Sequence, residues 1–227
     1  MEVNPVFSLG PIGVTVPVMT TWGIMLALVT LSWLATRSLQ QKPGPTQVVL
    51  EGVIGAMDRA VREVLPNAAT HVLPFIGTLW VFVVVANLVG IIPGLHSPTG
   101  ALSTTAALAV LVFISVHWFG IRSEGMSAYL KHYLAPNPIM LPFHLMSEVT
   151  RTIALAIRLF GNIMSLEMTA MLVLLVAGFL VPVPLLMLHV IEALIQAYIF
   201  GMLTLIYIAG AIQSQQQRQS EKREPHA

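Results

Sequence analysis

Residues 142–180 read PFHLMSEVTRTIALAIRLFGNIMSLEMTAMLVLLVAGFL, and no proline interrupts the run after Pro142. As one helix it is ~57 Å long at ~1.5 Å per residue, while the hydrocarbon core of a bilayer is only ~30 Å thick. Tilts of up to ~40° cannot hide that length. The helix therefore either projects well out of the membrane or lies strongly oblique. VPVP at 181–184 turns the chain, and a second overlong helix is expected from Pro184 to about Ser214. Together they predict a long, tilted, antiparallel hairpin over residues 139–214.

The rest of the chain fits a membrane setting. Of 227 residues, 56% are hydrophobic and 9% charged, with a mean hydropathy of +0.82. A soluble domain carries roughly a quarter charged residues, so this reads as one integral membrane domain covering 1–227, all α. There is no cysteine, which excludes disulfides and thiolate metal sites. The N-terminal MEVNPVFSLGPIGVTVP has no basic n-region and no Arg/Ser-rich transit pattern, so no cleaved targeting sequence is expected.

A first transmembrane helix is expected at about 16–36, ended by Arg37, Lys42 and KPGP. Residues 45–65, PTQVVLEGVIGAMDRAVREVL, place Val49, Val53, Met57, Val61 and Val64 at helical spacing, with Glu51, Asp58, Arg59, Arg62 and Glu63 largely elsewhere. That pattern predicts an amphipathic helix lying in the interface plane. A transmembrane hairpin follows over 72–120, its two spans at about 72–92 and 101–119 joined by LHSPTG. A polar connection then leads to the long hairpin, and 215–227 is expected to be a disordered cytoplasmic tail.

Five crossings make the N-terminus, residues 93–100 and residues 179–184 one side, and these contain no Lys or Arg. Nine of the eleven basic residues fall on the other side. The positive-inside rule puts the N-terminus outside and the C-terminus in the cytoplasm. The remaining two, Arg151 and Arg158, lie within the first long helix. No internal repeat is evident, which argues against an inverted-repeat transporter.

An arginine stays charged at any accessible pH, and a charge at the bilayer centre costs at least ~2.5–3.5 kcal/mol. At 100° per residue Arg151 lies ~20° and Asn162 ~40° from Arg158 around the helix, so the three form one polar stripe. Glu167 is ~13.5 Å further along and on roughly the opposite face. Ala154, Ala156 and Gly161 flank the arginine and permit close helix approach. On the second helix His189 and Gln196 share a stripe with Glu192 ~60° away. Antiparallel packing would bring Glu167 toward His189 and Glu192, and Gln196 toward Arg158. The plain alternative is an internal salt bridge from Arg158 to Glu167 or Glu192, which would be a poor source of stability. Gln196 is open to a second reading as an interhelical hydrogen bond. His144 and Glu148, at the cytoplasmic mouth, either line an inner aqueous path or meet headgroups. Asn87 is expected to cap local backbone.

A fixed cation cannot relay a proton, but it can pair with a carboxylate and repel a passing cation. Glu167, His189 and Glu192 can change protonation. Titratable groups running from one surface and stopping beside an arginine read as a half-channel. No second continuous polar route exists in the chain, so a partner must carry the ion onward.

These residues are familiar together. RLFGN at 158–162, a Glu five residues after that Asn, and IQAYIF at 195–200 resemble subunit a of the F-type ATP synthase membrane sector, as do ANLVGIIPG and the in-plane LEGVIGAMDRAV. The resemblance covers roughly 45–212. It implies a bacterial inner-membrane stator beside a rotating c-subunit ring, with b-type peripheral stalk subunits, a soluble ATPase sector and membrane lipid as partners, and no nucleic acid or cofactor. It implies that Arg158 is the essential arginine and Glu167 the outer acid. His189 stands where the family carries His or Glu, Gln196 faces the arginine, and Asn162 is the motif's asparagine. Many members carry a Glu fourteen positions before the arginine. Here that position is His144, the nearest acid is Glu148, and Arg151 lies on the same inner stretch. Glu192 is an additional acid, and Gly90 stands where some members place an Asp. The coupling ion, H⁺ or Na⁺, stays open. The rival reading is a standalone secondary transporter with Arg158 anchoring an anionic substrate. No G-x-x-x-x-G-K-[ST] occurs, so ATP chemistry is not expected in this chain.

Overall fold

The computed structural model describes residues 7–9, 12–37, 44–92, 95–126, 141–177 and 182–223. Among the described residues a short antiparallel hairpin of β1 (Phe7–Leu9) and β2 (Ile12–Val14) precedes six bounded α-helices. These are α1 (Val16–Arg37), α2 (Pro45–Val64), α3 (Ala69–Val89), α4 (Leu102–Glu124), α5 (Leu141–Ala177) and α6 (Pro182–Arg223), with a 3₁₀ turn at Pro98–Gly100 between α3 and α4. Five of them, all but α2, are long and apolar enough to cross a membrane. The chain is an all-α membrane protein apart from its opening three-residue strands.

α5 and α6 run for 37 and 42 residues, or ~55 and ~63 Å at ~1.5 Å per residue. The expected polar connection at 120–138 begins as the last turn of α4, which continues to Glu124, and from residue 127 it lies outside the described residues. One expectation is corrected. Residues 215–223 continue α6 as helix, where a disordered tail was expected from 215. Gln, Arg, Glu and Lys are good helix formers, and the segment contains neither Pro nor Gly before Pro225.

Lipid tails are as apolar as leucine, so helices associate here through close packing and hydrogen bonds. α6 supplies the centre of that packing, lying against α3, α4 and α5. Its Phe200, Leu205 and Ile208 are buried in one apolar cluster with Val72, Ile76, Leu79 and Val83 of α3, Val112 and Val116 of α4, and Leu155 and Leu159 of α5. Trp80 of α3 fits where α6 has no side chain. A Cβ on Gly201 would fall inside its indole, and the indole N–H donates to the Tyr198 carbonyl at 3.3 Å. α1 is mostly exposed and buries only Ile24. Its hydroxyls turn back on the helix: Thr20, Thr30 and Thr36 donate to the carbonyls of Val16, Leu26 and Ser32. A lipid-facing helix satisfies its polar groups internally in this way. α2 keeps Glu51, Arg59, Arg62 and Glu63 exposed, and Arg62 pairs with the half-buried Asp58 at 2.7 Å.

Candidate functional site

Arg158 sits at the middle of α5. The inner face of the helix there is Leu155, Leu159 and Ile163, all buried. Arg158 is on the other face and exposed, with exposed Ala154, Gly161 and Ser165 around it at helical spacing. A Cβ on Gly161 would meet nothing within 4 Å. These side chains are small, and Arg158 is the charged group among them. Exposed Ile191, Ile195, Tyr198 and Ile199 of α6 are apolar. Among the described residues Arg158 makes no hydrogen bond and no ion pair. The internal salt bridge to Glu167 or Glu192 is therefore not formed.

The expected stripe of Arg151, Arg158 and Asn162 is not uniform. Asn162 turns inward and donates to Gln196 Oε1 at 2.7 Å. Arg151 is half-buried, donates to Glu148 at 3.2 Å and lies over the Tyr207 ring at 4.6 Å. Offsets of ~20–40° around a helix are small enough for a long side chain to follow its partners, and both of these have a partner on α5 or α6. Gln196 thus reaches the turn next to Arg158 rather than Arg158 itself.

Gln196 and His189 of α6 are buried, and among the described residues the Nε2 atom of each has no hydrogen-bond partner. Leaving a buried polar group unsatisfied costs about 1–3 kcal/mol, so both are candidates for a role beyond packing. Glu192, one turn from each, is half-buried. His144 is half-buried at the start of α5, one turn from the Glu148–Arg151 pair.

Glu167 was expected to approach His189 and Glu192. Its hydrogen bond goes instead to the connection between α3 and α4, where Oε1 accepts from the Ser97 backbone N–H at 3.1 Å. From there a buried polar chain crosses the bundle. Ser97 Oγ donates to the Ala86 carbonyl at 2.8 Å and lies 2.6 Å from Thr99 Oγ1. Thr99 Oγ1 donates to Asn87 Oδ1 at 2.7 Å, and Asn87 Nδ2 donates to the Ala193 carbonyl of α6 at 3.4 Å. Asn87 therefore does not cap local backbone. It joins α3 to α6, because Ser97 and Thr99 fold back over it. The chain ends beside Glu192 and one turn from His189, at the level of α6 that antiparallel packing set for Glu167. Sequence reasoning missed Ser97 and Thr99. Their only signal was two hydroxyls and a proline in an otherwise apolar connection, SPT at 97–99.

A family model described as ATP synthase A chain matches residues 18–209. The chain is 62% identical over 218 residues to "ATP synthase subunit a 2" of Pelobacter propionicus, covering 96% of each chain. It is 58% identical over 210 residues to "ATP synthase subunit a" of Legionella pneumophila, covering 92% of this chain and 91% of that one. It is 61% identical over 205 residues to "ATP synthase subunit a 1" of Hahella chejuensis, covering 90% of this chain and 87% of that one.

Proposed function

The chain belongs to the ATP synthase A chain family, and we propose that it is the stator subunit that gives ions two offset half-channels to and from a rotating ring of c subunits. In this reading it lies in the bacterial plasma membrane with its N-terminus outside. It contacts b-type peripheral stalk subunits, and the ATP chemistry is in a soluble sector. The observation that carries the reading is Arg158: a charge exposed at mid-helix, without a partner among the described residues, among small side chains on an apolar face. A substrate-anchoring arginine in a standalone transporter would point into a pocket closed by its own helices, commonly beside a broken helix. α5 is unbroken through Arg158.

In synthesis an ion enters from outside along Glu167, His189 and Glu192, groups whose protonation can change. It passes Asn162 and Gln196 and binds an ionised carboxylate on the ring. That carboxyl, now neutral, can leave into lipid. At the far end of its rotation it releases the ion to the inner path, for which His144 and Glu148 are the candidates. The carboxylate left behind then passes Arg158. Two opposite charges 4 Å apart attract by ~4 kcal/mol at an effective dielectric of ~20. That attraction favours release on the inner side, and the same charge repels an ion crossing without rotation. Arg151, held by Glu148 and Tyr207, serves the packing of α5 on α6.

Arg158→Ala tests this. The variant should assemble yet make no ATP from an ion gradient, while reconstituted membrane sectors leak ions passively. Continued ATP synthesis, or a failure to assemble at all, would overturn the reading.

A further inference from the structure

We propose that Gly90 and Gly100 are positioning residues for Glu167, their missing side chains letting the connection between α3 and α4 close over the carboxylate. The inference rests on the reading of Glu167 as an outer-path residue. Gly90 follows α3 and Gly100 closes the 3₁₀ turn, and both are half-buried. A Cβ on Gly90 would stand 3.2 Å from Glu167 Oε1 and 3.1 Å from the Ser97 Cβ. A Cβ on Gly100 would stand 3.2 Å from Oε2 and 3.5 Å from Cδ. These contacts are mostly below the ~3.5–4.0 Å optimum of non-bonded contact. The two glycines therefore lie against the two oxygens of one carboxylate, and any larger residue at either position must displace it.

The displacement matters because of what the carboxylate touches. Ser97 sits between the two glycines in the chain and gives Glu167 its one hydrogen bond among the described residues. Through Ser97, Thr99 and Asn87 the same connection reaches the Ala193 carbonyl of α6. Bonds to a charged acceptor are sensitive to a few tenths of an ångström, since they depend on short, well-aligned geometry. The cradle thus fixes the acid of α5 at the head of a polar chain that ends beside Glu192 and His189. Its contribution is the place of the carboxylate, not contact with the ion.

The test measures ion flux and coupled ATP synthesis in reconstituted complexes carrying Gly100→Val, the milder Gly100→Ala, Glu167→Gln, Glu167→Asp, and the doubles of each Gly100 change with each Glu167 change. Copurification of the other subunits checks assembly. Gly100→Val should lower flux about tenfold, the size expected when a hydrogen bond to a charged group is lost, with Gly100→Ala in the same direction but smaller. In the Glu167→Gln background neither glycine change should lower flux further, because the two act through one group. Glu167→Asp, whose carboxylate is withdrawn by one methylene, should recover part of the flux lost in Gly100→Val. Additive losses in the doubles, no recovery by Asp, or normal flux in both glycine variants would overturn the cradle while leaving the outer path standing. Normal flux in Glu167→Gln itself would overturn both.

Discussion

α5 carries two charges that the fold treats in opposite ways. At mid-helix Arg158 is exposed, and among the described residues it has no partner. Nine residues on, Glu167 is half-buried, gripped by Gly90 and Gly100 and bonded to Ser97. A charge held inside its own chain has its partners supplied by the fold. A charge left on a lipid-facing surface is costly unless another chain completes it. The first arrangement fixes a group in place, and the second offers it to something that moves past. The whole reading of this subunit depends on that difference, and each of the following experiments attacks one side of it.

The largest effect is expected at Arg158. Arg158→Lys keeps the charge but replaces a planar, weakly hydrated fork with a compact, strongly hydrated ammonium on a different reach. Coupled ATP synthesis should fall by about a thousandfold, the scale of losing several kcal/mol of charge stabilisation, while the complex still assembles. Near-normal synthesis in the lysine variant would mean that charge alone suffices and that the exposed fork has no specific partner.

Next is the frame that both regions share. α6 gives Gln196 to one side and the Ala193 carbonyl to the other, and it is seated against α3 through Trp80 and Gly201. Gly201→Ala forces the indole aside, and overpacking of this kind costs about 1–3 kcal/mol. Thermal unfolding of the detergent-solubilised complex should move down accordingly. Trp80→Phe in the same chain should recover part of the loss, because the smaller ring leaves room for a methyl group. An unchanged melting temperature for Gly201→Ala would mean that α6 seats itself by other contacts.

How far the sequence reveals these two regions follows from what each depends on. Span number and the two overlong helices follow from hydropathy and the absence of proline, which are local properties. The outward face of Arg158 follows from helical periodicity, since Leu155, Leu159 and Ile163 claim the inner face. The depth of Gln196 follows nearly as well, because antiparallel helices fix relative depth, but the inward turn of Asn162 to meet it does not. The setting of Glu167 does not. It depends on how a short connection folds, and on an asparagine reaching an α6 carbonyl 106 positions away. No period or spacing encodes that. The inward turn of Arg151 escapes for a related reason: a helical wheel gives the Cβ direction, while a long side chain follows its partners.

Ser97 separates the two parts of the Glu167 setting and should give a moderate effect. Its φ is −61°, which proline adopts without strain. Ser97→Ala removes the hydroxyl that meets Thr99 and the Ala86 carbonyl but keeps the N–H that holds Glu167. Ser97→Pro removes both. Ion flux should drop about threefold in the alanine variant and about tenfold or more in the proline variant, in line with neutral and charge-assisted hydrogen bonds respectively. Equal losses would place the effect in the hydroxyl chain and leave the Glu167 bond without consequence.

The smallest effect is expected at the other arginine of α5, and it sharpens the comparison most directly. Arg151 is two turns from Arg158 on nearly the same side of the helix, yet it is half-buried against Glu148 and Tyr207. An i,i+3 ion pair at 3.2 Å with partly exposed side chains contributes about 0.2–1 kcal/mol. The contact with the tyrosine face adds about 0.5–1 kcal/mol. Arg151→Gln should therefore lower the stability of the complex by about 1 kcal/mol, visible as a small downward shift in thermal unfolding, and leave coupled synthesis within about twofold of the unmodified protein, since ~0.4 kcal/mol is a factor of about two. Tyr207→Leu should act in the same direction and by a similar amount, and the double variant should lose less than the sum, because the two side chains share one contact. If Arg151→Gln instead abolished coupling as Arg158→Lys is expected to, an arginine satisfied inside the chain would matter to ion transfer as much as one offered outward. The contrast between held and offered charges would then no longer separate structure from function in this helix.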